Sequence, residues 1–286
     1  MRTFLSWKSA GPQLEMWLSR KDVETASFSF FGGLIDLDVH RQAARRQTMI
    51  NLAQRLGQDE TLVSAALESA WNLANAVHVS KGLDWEPPVR VVFDRWIRLL
   101  NGHAQTDQEI ADLAEALVEN EIEFLADHAT ANAALIQVIA NVNRDFTHTM
   151  IVEDTSFSAH DLRKLSQKAG VTDFIDTWVT SADKGLRKHT GRLFKTLERK
   201  PDLHVGTDPV SDGVRAAEFK IEPWVVYDWK SQYSRHKSGI DKIWWPLESA
   251  GLEPSGRSAK SAMIRTIHKH PYPEFLKIKL RNLVGK

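Results

Sequence analysis

Apolar residues recur along this chain in two rhythms, and the change between them is the first clue to its architecture. From about Gln42 to Asn143 they fall at three- and four-residue spacing, in "TMINLAQRLG", "ETLVSAALESAWNLANAVHV", "PVRVVFDRWIRLL", "DQEIADLAEALVENEIEFLADHA" and "NAALIQVIANV". That period predicts about five helices. Breaks fall at Gly57, at Pro87 and Pro88, and at "NGHAQTD", where Thr106 or Asp107 is placed to cap the next helix. Before this region, "ASFSFFGGLI" from Ala26 is a dense apolar run of strand character. After Thr147, short runs ("TMIV", "DTWVT", "LHVG", "WVVYD") alternate with helical stretches ("SAHDLRKLSQKAG", "TGRLFKTLERK", "SDGVRAAEF"). Such alternation predicts a parallel sheet covered on both faces. The expected fold class is therefore α/β: a parallel, Rossmann-like core with an inserted all-helical cap and a C-terminal extension. Strands are expected near Phe28–Phe31, Met150–Val152, Trp178–Thr180 and His204–Gly206. The expected domains are residues 1–38 with 144–230 as core, 39–143 as cap over the carboxyl ends of the strands, and 231–286 as extension.

Composition narrows the possibilities. The 286 residues are 42% hydrophobic, enough to fill a sizeable core, and none is cysteine, so thiolate chemistry, disulfides and cysteine zinc sites are excluded. The first residues lack the apolar stretch of a signal peptide, and no run of about 18 apolar residues occurs, so a soluble cytoplasmic protein is expected. The formal net charge of zero hides an asymmetry. Residues 229–286 hold 12 Lys and Arg against 4 Asp and Glu, a net +8, which leaves −8 on residues 1–228. A basic tail is a solvated face or a surface for an anionic partner: a phosphorylated ligand, an acidic protein surface or nucleic acid.

In parallel α/β sheets ligands gather beyond the carboxyl ends of the strands, so the residues there carry the chemistry. Those stretches read "SFSFFGGLI", "IVEDTSF", "VTSADKGLRKHTGRLF" and "HVGTDPVSDGVRAAEF". In order and separation they resemble the haloacid dehalogenase (HAD) superfamily of phosphatases and phosphotransferases, in the subgroup with a helical cap after the first strand. The family pattern is approximately SFDxFDTLL, xVSDMYL, VSSExGxxKxxGxLF and HIGDNxxSDxxxAxxxG. The resemblance spans about Ser27 to Tyr227 and is most specific in the last two stretches.

The resemblance implies an aspartate nucleophile, a second aspartate as acid/base, a hydroxyl and a lysine holding the phosphoryl oxygens, and carboxylates completing a Mg²⁺ shell. Carried over position by position, the nucleophile becomes Ser29 and the acid/base Gly32, with Gly33 beside it. The phosphate-binding hydroxyl becomes Glu153, followed by a matching Asp154. Lys188 is retained, Gly206 and Asp212 match, Thr207 replaces the metal-binding aspartate, and Asp208 replaces an asparagine. On this register the site is degenerate, a serine at 29 lacks a general base in the motif, and no cofactor is expected. A shifted register offers Asp36 and Asp38 as the catalytic pair with Lys188, Thr155 or Ser156 as the phosphate-binding hydroxyl, and Asp208 with Asp212 as metal ligands, and would make an Mg²⁺-dependent phosphomonoesterase. It requires Gly32 and Gly33 inside a central strand, where glycine packs nothing.

The leading expectation is a pseudoenzyme that acts by binding a ligand or protein partner. The alternatives are that phosphomonoesterase and, through the basic tail, a nucleic-acid-associated factor. Lys188, if enclosed, must pair with a carboxylate among Glu153, Asp154, Asp208 and Asp212 or be offered to an anion. His268 and His270 lack partners for a metal set, Trp224, Trp229, Trp244 and Trp245 suit core packing or a contact surface, and Arg257, Lys260, Arg265 and Lys269 fall on one basic helix face.

Overall fold

The chain opens with a strand, β1 (Arg2–Phe4), and a helix, α1 (Trp7–Leu18), capped by the Ser6 hydroxyl and burying Trp7, Ala10, Leu14 and Leu18 at helical spacing. β2 (Thr25–Phe28) is buried throughout. The computed structural model describes residues 1–226 apart from 5, 21, 40, 85–86, 102–105, 142–146 and 172–174. The basic extension, with Trp229, Trp244, Trp245, His268, His270 and the basic face, lies outside the described residues.

β2 stops earlier than the apolar run suggests. Gly32 takes a left-handed φ of 76°, and a methyl group on Gly33 would overlap the Ser29 carbonyl, so the two glycines fold the chain back on itself. Leu34 N and Ile35 N then donate to the carbonyls of Ser29 and Phe30 at 3.2 and 3.0 Å. The strand expected at Phe28–Phe31 is thus Thr25–Phe28, and the rest of the apolar run is a turn.

Next come β3 (Ile35–Leu37) and the helices α2 (Arg41–Leu56), α3 (Glu60–Ser80), α4 (Val89–Asn101) and α5 (Asp107–Asp127). Thr106 caps α5 in a reciprocal capping box with Glu109, in agreement with the "TD" signal. β4 (Ala129–Ala131) returns to pair antiparallel with β3, and α6 (Ala133–Asn141) packs against α1. Among the described residues the insert thus contains the five helices that periodicity indicates, and one strand that it does not.

The remainder alternates: β5 (His148–Glu153), α7 (Ala159–Lys168), β6 (Thr177–Thr180), α8 (Ser181–Lys184), α9 (Arg192–Lys195), β7 (Leu203–Gly206), a π-helical turn at Pro209–Val214, α10 (Arg215–Glu218) and β8 (Glu222–Val226). Six strands form one wholly parallel sheet in the order β1-β8-β7-β2-β5-β6. Both faces are covered. On β5, Ile151 joins the large cluster shared with the insert, while Met150 and Val152 pack with Val179, Leu193, Phe194, Ala216 and Ile221 on the other side. Trp224 on β8 is a core residue, stacked on Phe4 with ring centroids 5.1 Å apart. Among the described residues no helix is long and apolar enough to cross a membrane.

Candidate functional site at the carboxyl ends of the strands

Parallel register brings four strand ends together. Ser29 follows β2, Glu153 closes β5, Thr207 follows β7, and Lys188 comes from the connection between α8 and α9, beyond β6. The Lys188 loop is held from beneath by Asp154, whose carboxylate accepts from the backbone N–H groups of Lys188 and His189 at 2.5 and 3.0 Å. From above it is held by the insert. Asp84, on the α3–α4 connection, accepts from Arg187 N at 2.8 Å and Thr190 Oγ1 at 2.5 Å, and Arg192 donates to the Gly82 carbonyl at 3.0 Å.

The Lys188 ammonium is buried and has three N–H bonds to give. All three find protein acceptors: Asp212 Oδ1 at 2.6 Å, Ser29 Oγ at 2.8 Å and the Val152 carbonyl at 3.1 Å. Glu153 Oε2 stands 3.8 Å away and accepts from Phe30 N at 2.8 Å. Burial pulls the Lys188 pKa down, but Asp212, Glu153 and Asp154 together outweigh it and hold the pKa above the ordinary lysine value. Lys188 is therefore a fixed cation.

Asp212 is the hub. Its Oδ1 accepts from Lys188, from Ser29 Oγ at 2.9 Å and from His204 Nε2 at 3.1 Å, and its Oδ2 from the N–H groups of Thr207 and Asp208, each at 2.8 Å. Burial alone would raise its pKa; Lys188 and His204 overcome that and hold the carboxyl well below the ordinary aspartate range. Gly206 leaves room for this carboxylate, since a methyl group there would overlap it. For His204 burial dominates and lowers the pKa, so the ring is neutral. An acceptor-only carboxylate at Nε2 puts the ring proton there, and Nδ1 accepts from Ser27 Oγ at 2.8 Å. For Glu153 too burial is the largest effect: it pushes the carboxyl's pKa upward against Lys188 and Arg41.

The remaining sequence candidates are distributed around this hub. Asp208 Oδ1 caps the π-helical turn, accepting from Val210 N and Ser211 N at 2.8 and 2.7 Å. Thr155 Oγ1 accepts from Phe157 N at 3.2 Å, and the Ser156 carbonyl accepts from Val89 N of the insert at 2.9 Å. Asp36 lies on β3 opposite Thr130, in the two-stranded ribbon and not in the central sheet. Asp38, with a side chain 72% exposed, contacts His128 Nδ1 at 3.0 Å.

Two features escape sequence reasoning. A carboxylate does face the Ser29 hydroxyl, supplied by Asp212 from 183 residues away. Its depressed pKa makes it a weak base, and the charged Lys188 has no lone pair to offer. His204 is the other, although strand alternation puts it on the same face as Gly206, and the β2–β7 register pairs it with Ser27.

This donor set does not fit Mg²⁺. A hard dication needs several free, anionic oxygens in octahedral array. Here both oxygens of Asp212 are already occupied, Asp208 Oδ1 caps a turn, residue 29 is an alcohol and residue 207 a threonine. Among the described residues no group of three or more His, Asp or Glu is arranged to hold a metal ion.

No protein-family model and no curated protein sequence matches the chain. Solved structures do match. The 2-haloacid dehalogenase of Pseudomonas syringae pv. tomato is 15% identical with a TM-score of 0.51, over 71% of this chain and 86% of its own. YfnB of Bacillus subtilis, assigned as a HAD-hydrolase and bound to magnesium, is 16% identical with a TM-score of 0.38, over 74% and 97%. The L-2-haloacid dehalogenase of Xanthobacter autotrophicus is 16% identical with a TM-score of 0.36, over 71% and 76%. The first of these carries the assignment: the chain has the haloacid dehalogenase fold.

Proposed function

We propose that this protein is a non-hydrolytic form of the haloacid dehalogenase fold, a pseudoenzyme in which an internal ion pair fills the phosphoryl-transfer centre and which acts by binding. The observation that carries this reading is the saturation of Lys188. Each of its three N–H bonds ends on a protein acceptor, so none is left to hold a phosphoryl oxygen as charge develops. Asp212, the partner carboxylate, is spent in the same way. The register also supports it: the residue leaving β2 is Ser29, and Asp36 stands beyond the glycine turn. The partner is a protein or an anionic ligand, engaged through the molecular surface or through the net +8 of residues 229–286, with nucleic acid the weaker of the anionic choices.

The test is direct. Purified protein with Mg²⁺ is incubated with a generic aryl phosphate, alone and as the Asp36→Asn variant. No turnover by either is expected. Turnover by the parent chain that disappears in Asp36→Asn would establish the shifted register and a working phosphomonoesterase.

A further inference from the structure

Two joints between the insert and the core differ in character. Along α7 the joint is broad and apolar. Phe157, Leu162 and Leu165 of the core belong to one buried cluster with Val92, Leu117 and Val118 of the insert, and Val89 N donates to the Ser156 carbonyl at 2.9 Å. Lys164 and Lys168 of α7 add ion pairs to Glu119 of α5 at 2.9 and 3.5 Å, and Lys168 adds one to Glu123 at 3.3 Å. Partly exposed pairs of this kind contribute little, so the apolar seam carries the joint.

The other joint is small and polar. Gly82, Leu83 and Asp84, on the α3–α4 connection, are set against the connection between α8 and α9 that carries Lys188. Asp84 N donates to the Gly185 carbonyl at 3.1 Å, and its carboxylate accepts from Arg187 N at 2.8 Å and from Thr190 Oγ1 at 2.5 Å. Arg192 donates to the Gly82 carbonyl at 3.0 Å and stands 3.5 Å from the Asp84 carboxylate. Leu83 lies so close to Gly185 that a methyl group there would come within 2.7 Å of its Cδ2. The grip on this connection is divided. The core holds its centre, through Asp154 at Lys188 N and His189 N and through Arg215 at the His189 carbonyl, 3.0 Å away. The insert holds the flanks, at Gly185, Arg187, Thr190 and Arg192, and one carboxylate, that of Asp84, bridges the two sides of Lys188.

We propose that the insert is a clamp and Asp84 its positioning residue: anchored along α7, the insert keeps the connection between α8 and α9 seated on the strand ends, and so keeps Lys188 inside its ion pair. This rests on the reading of Lys188 as an internal cation. The apolar joint supplies a stationary support, and the charge-assisted bonds of Asp84 supply the hold. Removing them unties both flanks from the insert's side chain, and the connection opens more often.

Labelling of lysine amines with acetic anhydride, followed by peptide mass spectrometry, tests this on the full chain. In the parent, Lys188 should react at least about tenfold more slowly than the exposed Lys195 and Lys200, and Asp84→Ala should speed it at least about tenfold. Thr190→Val combined with Arg192→Gln cuts the same bonds from the core side and should do the same, which keeps the test open if Asp84→Ala fails to fold. Glu119→Gln, which cuts only the exposed pairs on α7, should leave Lys188 protected. Protection that persists without Asp84 would overturn the clamp and leave the ion pair standing. A Lys188 as reactive as Lys195 in the parent would overturn the ion pair itself, and the clamp with it. Equal exposure of Lys188 in Glu119→Gln and Asp84→Ala would mean general loosening, and would overturn the role given to Asp84.

Discussion

Two buried acids in this molecule, Glu121 in the helical insert and Asp212 in the core, face the same problem and reach opposite protonation preferences. Glu121 is 1% exposed and meets one cation: Arg45 donates to it with both Nε and Nη2, the latter at 3.1 Å, while the guanidinium lies on the rings of Trp71 and Phe93. Burial is the largest effect on it and Arg45 does not offset it, so the Glu121 pKa is pushed up. Asp212 is 2% exposed and receives five donors, two of them backbone N–H groups that cannot leave. Its pKa is driven down. The number of fixed donors, more than depth, decides whether a buried carboxyl keeps its charge. It also separates a site that is rigidly ionic from a pair that can relax by taking up a proton.

The contrast between the two acids is most easily broken at Lys188. Lys188→Met leaves Asp212 charged and buried with its strongest partner gone, and equilibrium unfolding should show a loss of about 3–5 kcal/mol. A stability-neutral substitution that instead abolished binding of a phosphorylated ligand would mean that the lysine serves the ligand and not the fold. Arg45→Met is the matching cut in the insert, and a smaller loss is expected, about 1–2 kcal/mol, because Glu121 can stay protonated and only the stacking and one hydrogen-bonded fork disappear. Equal losses at the two positions would sink the distinction between a rigidly ionic site and a relaxing pair.

How much of this is legible in the sequence depends on distance along the chain. Lys188 stands out in the unit that follows β6, and Gly206 and Asp212 in the one built on β7, because spacing within a single strand-loop-helix unit is fixed by local geometry. The helices of the insert stand out by their period. The end of β2 lies up to three residues before the place the apolar run suggests, since "SFSFFGGLI" carries no charge to mark its end and only the close approach of Gly33 to the Ser29 carbonyl shows where the chain turns. β1, an edge strand of three residues, has too few positions to show a period. The bonds from Asp212 to Ser29 and from Asp84 to the Lys188 loop join residues far apart in sequence, and no spacing rule reaches them. The saturation of Lys188 belongs to that class, so the sequence offers the ion pair only as one of two fates for the lysine.

The smallest effect concerns pH, and it sharpens the contrast because its sign must differ between the two acids. Glu121 has a folded-state pKa above its ordinary 4.5, so the native state holds that proton more tightly than the unfolded chain does. Its contribution is fully present below 4.5 and is lost as pH rises through the folded-state value. Asp212 is the reverse: with a folded-state pKa well below the ordinary 3.8, its contribution is present above 3.8 and is lost only as pH falls through the depressed value. Glu121→Gln fixes the neutral form. Urea unfolding of parent and variant across pH should therefore show the parent losing ground to Glu121→Gln as pH rises above about 4.5, with the difference levelling off once Glu121 has ionised in both states. Asp212→Asn should show no such drift in that range, its pH-dependent difference being confined below 3.8. A parent that gains on Glu121→Gln as pH rises would mean that Arg45 alone suffices to keep Glu121 charged, and the donor-count explanation of the core site would fall with it.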